Sequence, residues 1–203
     1  MLYIIRHGKT AANIKKIVAN DAEKLNQIGI KDSKKIGKSL RRADIDFIIS
    51  SPLKRASETA QIISTYINKK IIISPLVQEK RLPSEINGMK KNNTKTKRIF
   101  KLMEKNNILH KKWHYSDEEN YVDLQKRVKL FVKYLNKNAK KNILIISHEY
   151  FIKALLFILM CSPKLDYSYF RKFYKSLLIE NSKITICKNN NTWVVQCLNI
   201  SHI

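Results

Sequence analysis

Four places in the chain combine residue types that can do chemistry on an anion. Arg6-His7-Gly8 lies near the N-terminus, Arg55 follows Ser50-Ser51-Pro52-Leu53-Lys54, Glu79 and Glu85 share one stretch, and Ser147-His148-Glu149 comes much later. A guanidinium presents paired donors to oxyanions, and a neutral imidazole beside it presents a lone pair. Together they suit an anion site with a nucleophile in it. Thr10 and Asn13 follow His7 closely. They could hydrogen-bond a bound anion or cap a turn. Either Glu79 or Glu85 could give a proton to a leaving oxygen. Each feature alone also has a structural reading: a solvated strand end for Arg6 and His7, an exposed helical side chain for Arg55.

The elements that must position these groups are legible. Leu2–Ile5, Ile45–Ile49, Ile71–Ser74 and Ile143–Ile146 are short apolar runs rich in Ile. They read as short strands, and Ile45–Ile49, nearly continuous in apolar residues, reads as one buried on both faces. Arg6-His7 and Ser147-His148 end two of them, and Arg55 falls in the first turn of a helix after a third. A cation there opposes the helix dipole, so the position suits Arg55 only if it turns back over the strand end to meet an anion. Parallel strands would bring these ends to one side of a sheet. Gly8 would allow a sharp turn and a close backbone approach to a ligand. Ser51 reads as the cap of the helix that runs to about Asn68, with Pro52 in its first position. Further helices are expected over 25–40, 97–106, 118–138 and 150–160, with a loop over 10–24. Two closing strands are expected over about 176–187 and 192–198, turning at Asn189-Asn190-Asn191. Aromatic residues over 160–180, among them Tyr167, Tyr169, Phe170, Phe173 and Tyr174, fit either core or an interface.

Composition narrows the class. The 203 residues fit one domain over 1–203 with a substantial core. No apolar run is long enough to cross a bilayer, and no basic segment followed by an apolar one marks a signal peptide. Cys161, Cys187 and Cys197 are odd in number and lack paired spacing, which fits a reducing cytoplasm. His110 and His114 stand four apart, without the further ligands that a metal site needs. The net charge is +24, which invites a nucleic-acid hypothesis. Only eight of the forty basic residues are Arg, however, and the Lys are spread along the chain among many Asn and Ile. That pattern fits an A/T-biased coding sequence and a solvated cationic surface. No aromatic residues interleave the basic ones for base stacking. The field should still draw small anions inward.

Arg6-His7-Gly8-Lys9-Thr10, Leu25-Asn26-Gln27-Ile28-Gly29, Ser50-Ser51-Pro52-Leu53-Lys54-Arg55-Ala56-Ser57-Glu58-Thr59-Ala60 and Ser147-His148-Glu149 stand in the order and spacing of a known family. The chain resembles the histidine phosphatase superfamily, with its phosphoglycerate-mutase-like fold. The tail Leu198–Ile203 also fits, and the likeness is loosest over about 82–120. The resemblance implies a three-layer α/β/α sandwich with a mostly parallel central sheet. A variable helical insertion, about 82–138, would lean over the strand ends.

The resemblance also implies roles. His7 would attack phosphorus as neutral imidazole and become a phosphohistidine. Arg6, Arg55 and His148 would ring the phosphate, with Asn13 adding a neutral hydrogen bond. Glu79 would protonate the leaving oxygen and then help water attack. No metal or other cofactor is implied. The chain departs from the family pattern at Lys9, where Glu is commoner. It departs again after Glu79, where Arg81-Leu82-Pro83-Ser84-Glu85-Ile86-Asn87-Gly88 replaces an aromatic-Gly-Trp stretch, which makes Glu85 a rival acid. The expected function is hydrolysis of small phosphomonoesters. The alternatives are phosphoglycerate-mutase-type transfer, dephosphorylation of a protein partner, and an inactive member that binds polyanions or nucleic acid. Oligomeric state stays open between monomer and homodimer.

Overall fold

The computed structural model describes residues 1–110, 112–161, 166–190 and 192–202. Among them, six strands form one sheet in the order β3-β2-β4-β1-β5-β6. The strands are β1 (Leu2–Arg6), β2 (Phe47–Ser50), β3 (Ile71–Ile73), β4 (Ile143–Ser147), β5 (Ile184–Asn189) and β6 (Trp193–Ile200). The pairs β1/β4, β2/β4 and β2/β3 are parallel, and β1/β5 and β5/β6 are antiparallel. The helices are α1 (Ala11–Lys15), α2 (Gln27–Ser39), α3 (Lys54–Ile67), α4 (Thr94–Leu109), α5 (Tyr121–Lys137), α6 (Glu149–Met160) and α7 (Tyr167–Ser176).

Alternation along the central strands builds both cores, because successive side chains leave a strand on opposite faces. Leu2, Ile4, Ile143 and Ile145 face α5, α6 and α7, where Leu124, Val128, Phe131, Phe151 and Phe170 complete one core. Tyr3, Ile5, Leu144 and Ile146 face α2 and α3, where Ile36, Ala56, Ala60 and Ile63 complete the other. The result is a three-layer α/β/α sandwich with a mostly parallel sheet, as the sequence predicts. A third, smaller cluster of Val18, Ile86, Ile99 and Met103 lies outside both layers.

Several sequence expectations need correction. The expected insertion over 82–138 divides near residue 120. α5 carries an apolar stripe of Tyr121, Leu124, Val128, Phe131 and Leu135 and packs as a core helix on the sheet. The segment before it, with α4, forms the separate cluster together with Val18. The loop expected over 10–24 begins with the short helix α1, capped by Thr10. Ser51 is not the cap of α3: Leu53 holds that place, and Ser51 Oγ accepts from the Leu53 N–H at 3.2 Å. The strand expected over 176–187 starts only at Ile184. Ahead of it, backbone groups of Ile179 and Ser182 bond to Arg6, and the Asn181 side chain bonds to His7. Ile179 O accepts from Arg6 at 2.7 Å, and the Ser182 N–H donates to Arg6 O at 3.0 Å. Asn191, part of the expected turn, and Ile203 lie outside the described residues. The aromatic run belongs to the core: Phe170 is fully buried against Tyr121 and Phe157, while Tyr169 is exposed.

Lys153, a charge inside apolar α6, is buried but satisfied. It pairs with Glu149 one turn earlier at 2.8 Å and donates to Tyr174 O at 3.1 Å. Among the described residues, no helix is long and apolar enough to cross a membrane.

Candidate active site

Parallel pairing of β1 with β4 sets Arg6 beside Ser147, so His7 and His148 leave the sheet as neighbours. Their ring centroids are 5.0 Å apart. The His7 N–H donates to Ser147 O at 2.9 Å, and Asn181 Nδ2 donates to His7 O at 2.8 Å. These bonds fix the backbone of His7 from two sides.

Two contacts then fix its ring. His7 Nδ1 lies 2.7 Å from Gly8 O, and Arg55 Nε–H points at His7 Nε2 from 3.3 Å. A carbonyl can only accept and a guanidinium can only donate. The proton therefore sits on Nδ1 and the lone pair on Nε2. Burial, Arg55 and Arg6 together hold His7 well below the ordinary histidine range, so the neutral form persists.

Arg55 reaches His7 because it turns back from the first turn of α3, the orientation its position requires. One of its terminal nitrogens donates to Asn20 O at 2.9 Å. Arg6 donates to Ile179 O and pairs with Glu149 at 2.9 Å. Its Nε is buried and has no partner among the described residues. His148 is fully buried, and its Nε2 lies 2.8 Å from Ser51 Oγ. Its Nδ1 also has no partner among the described residues. Burial, then Arg55, keep this imidazole well below its ordinary value.

Arg6, His7, Asn13, Arg55 and Glu79 line one cavity of about 630 Å³. His148, whose ring packs against that of His7, is not part of that wall. The Glu79 carboxylate accepts from the N–H groups of Lys80 (3.0 Å) and Phe151 (3.3 Å). Burial raises its proton affinity, and Arg55 opposes the rise. Glu85 is elsewhere: it pairs with Lys95 at 3.0 Å, and hydrogen bonds from Tyr115 and Lys95 lower it. Asn13 serves the turn, accepting from the Thr10 N–H at 3.1 Å, and also lines the cavity. His114 is occupied with Asp123 at 2.6 Å.

The remaining walls are partly apolar. Phe100 and Met103 come from α4, and Tyr150, Tyr167 and Tyr174 from α6 and α7. Lys80 is buried in this wall, its ammonium 5.0 Å from the Tyr150 ring, and burial pushes it down to about 8. Sequence reasoning missed Ser51, Thr59 and Asn181 as site supports. Thr59 accepts from the Gly8 N–H at 3.0 Å and lies one turn after Arg55 on the same buried face. That spacing was available in the sequence. Nothing in the sequence marks Asn181.

A sequence model of the histidine phosphatase superfamily, branch 1, matches residues 2–200. The chain belongs to this superfamily. A 2,3-bisphosphoglycerate-dependent phosphoglycerate mutase of Thermoplasma acidophilum is 37% identical over 71 residues, 34% of this chain and 36% of that enzyme. The chain thus spans about a third of the length of the first curated relatives it matches. Structural likeness covers more. The α-ribazole phosphatase of Shigella flexneri has a TM-score of 0.77 at 21% identity, covering 100% of this chain and 97% of its own. A mycobacterial glucosyl-3-phosphoglycerate phosphatase has a TM-score of 0.79 at 19% identity, covering 98% of each chain. These neighbours share the phosphoglycerate-mutase-like fold.

Proposed function

We propose that this protein hydrolyses phosphomonoesters through a phosphohistidine on His7, without a metal. The observation that carries this reading is the His7 ring. Its Nε2 lone pair is held by the Gly8 carbonyl and the Arg55 guanidinium, on the wall of a cavity that also holds a carboxyl group with raised proton affinity.

The tasks divide among the residues as follows. His7 Nε2 forms a bond to phosphorus as the bond from phosphorus to the ester oxygen breaks. Glu79 gives its proton to the departing oxygen, and the alcohol leaves. Arg6 and Arg55 hold the phosphoryl oxygens, where charge is concentrated in the transition state. Asn13 adds a hydrogen bond to the same oxygens, and His148, off the cavity wall, packs against the His7 ring. Water then attacks phosphorus, Glu79 takes its proton, the bond to nitrogen breaks, and phosphate departs. Proton and charge balance at both steps with residues of this chain alone.

The cavity supports hydrolysis of a small ester larger than a three-carbon acid, with an apolar part against Tyr150, Tyr167, Tyr174 and Phe100. This reading gives no place to nucleic acid or to a membrane. Similarity to the Thermoplasma mutase keeps phosphoryl return to a second hydroxyl as the alternative. Turnover of p-nitrophenyl phosphate in excess chelator, by the wild type and His7→Ala, tests the proposal. Chelator-resistant activity that disappears in His7→Ala, with acid-labile phosphate trapped only on the wild type, is the expected result. Full activity in His7→Ala would overturn it. Interconversion of phosphoglycerates faster than phosphate release would favour the mutase reading.

A further inference from the structure

Glu79 sits on a segment with little regular structure of its own. A 3-10 turn covers Pro75–Val77, and no helix or strand follows until Ser84. A proton donor is useful only if its carboxyl group is held to within a fraction of an ångström. Something outside the segment must therefore hold it.

One side chain does most of this. Arg127, on the cavity-distal helix α5, donates from one terminal nitrogen to Leu76 O and Gln78 O, both at 2.9 Å. Its other terminal nitrogen reaches Glu79 O at 3.5 Å. Ser147 Oγ takes the carbonyl between them, Val77 O, at 2.6 Å. Four consecutive carbonyls ending at Glu79 are thus tied to β4 and α5. The guanidinium is itself held by Glu119 in a paired contact, Nε to Oε1 at 2.7 Å and the terminal nitrogen to Oε2 at 2.5 Å. All five of its N–H groups are used, and its face lies 5.4 Å from the Phe151 ring centroid. Glu119 in turn donates its N–H to Arg81 O at 3.1 Å, on the far side of Glu79. Phe151, whose ring Arg127 covers, also donates its N–H to the Glu79 carboxylate.

We propose that the Arg127–Glu119 pair is a positioning device for Glu79, acting on the backbone that carries the carboxyl group and not on the substrate. This rests on the reading of Glu79 as the acid. Lys could not replace Arg127, because three donors on a flexible stem cannot serve a carboxylate and three carbonyls together.

The consequence is selective. Loss of the clamp should impair proton delivery and leave the phosphoryl-binding groups in place. We would compare kcat/KM for p-nitrophenyl phosphate, whose leaving group departs readily as an anion, with that for phenyl phosphate, whose leaving group needs the proton. Both are measured on the full chain of wild type, Glu79→Gln, Arg127→Lys, Arg127→Met and the double variant Glu79→Gln/Arg127→Lys. The Arg127 variants should lose about 10-fold or more on phenyl phosphate relative to p-nitrophenyl phosphate, in the direction set by Glu79→Gln. The double variant should show no further selective loss. If Arg127→Met fails to fold, Arg127→Lys decides. Equal losses on the two esters, no loss, or added selectivity in the double variant would overturn the inference. Should Glu79→Gln itself show no selectivity, the acid assignment fails and takes this inference with it. Selectivity in Glu79→Gln alone defeats only the clamp.

Discussion

His7 and Glu79 occupy one cavity but are pushed in opposite directions. Burial and two guanidiniums disfavour a proton on His7, whereas burial favours one on Glu79. Both shifts favour the working pair of the proposed reaction, neutral imidazole with protonated carboxyl. The signs give a pH profile. His7 must be unprotonated, so activity is lost only as pH falls through its lowered value. Glu79 must be protonated, so activity is lost as pH rises through its raised value. We expect kcat/KM for phenyl phosphate to peak on the acid side of neutrality. In Glu79→Gln the alkaline limb should vanish. An unchanged alkaline limb in that variant would assign it to another group. The candidate residues themselves were legible, since Arg6, His7, Arg55 and His148 all follow apolar strand runs. The resemblance favoured Glu79 over Glu85, but the geometry that separates them was not legible. Both carboxyls lie in one stretch, and only the path of the chain sends Glu85 to Lys95 and leaves Glu79 in the cavity.

At the scale of elements, the glycines of the site serve packing more than ligand approach. The sequence suggested that Gly8 frees the backbone for a ligand. In the structure a Cβ on Gly8 would come 2.7 Å from Gly29 O, and one on Gly29 would overlap the Lys9 backbone. The start of α2 thus presses on the turn after β1, and the Asn26 N–H bonds to Lys9 O at 3.0 Å across the contact. The missing side chains let a helix end brace the residue that follows His7. Gly29→Ala should destabilise the fold by about 1–3 kcal/mol, the cost of overpacking a tight contact. A urea midpoint measures it. Because the brace is next to His7, kcat should fall in the same variant even where it is fully folded. A stable Gly29→Ala protein with wild-type kcat would show that the contact is dispensable.

For the whole molecule, charge and shape act on the substrate before any residue touches it. A net charge of +24 surrounds a cavity whose inner end holds Arg6 and Arg55. Such a field raises the encounter rate of anions and is screened over about 10 Å at 0.1 M salt. Raising the concentration of sodium chloride should lower kcat/KM for a phosphomonoester and leave kcat nearly unchanged, because chemistry occurs among buried charges. Salt-independent kcat/KM would mean that the surface charge has no part in capture. Closure of the cavity depends on distant segments: α4 supplies one wall and α7 another, joined by the Glu104–Arg171 ion pair.

The sequence by itself determined the layered α/β class, the strands that end at Arg6 and Ser147, and the candidate residues that those strand ends bring together. Those features are local: apolar runs, abrupt stops and reactive residues at the stops. Helix α7 and the late start of β5 escaped it, because segments 167–176 and 179–182 owe their conformation to Tyr150, Phe157, Arg6 and His7, far away in the chain. The tautomer of His7 also needed the tertiary structure. It depends on the distances to a neighbouring carbonyl and a guanidinium 48 residues away, and no periodicity encodes a distance. The same holds for Arg127, an ordinary helical arginine until the fold brings four carbonyls and a carboxylate within its reach and that of Ser147.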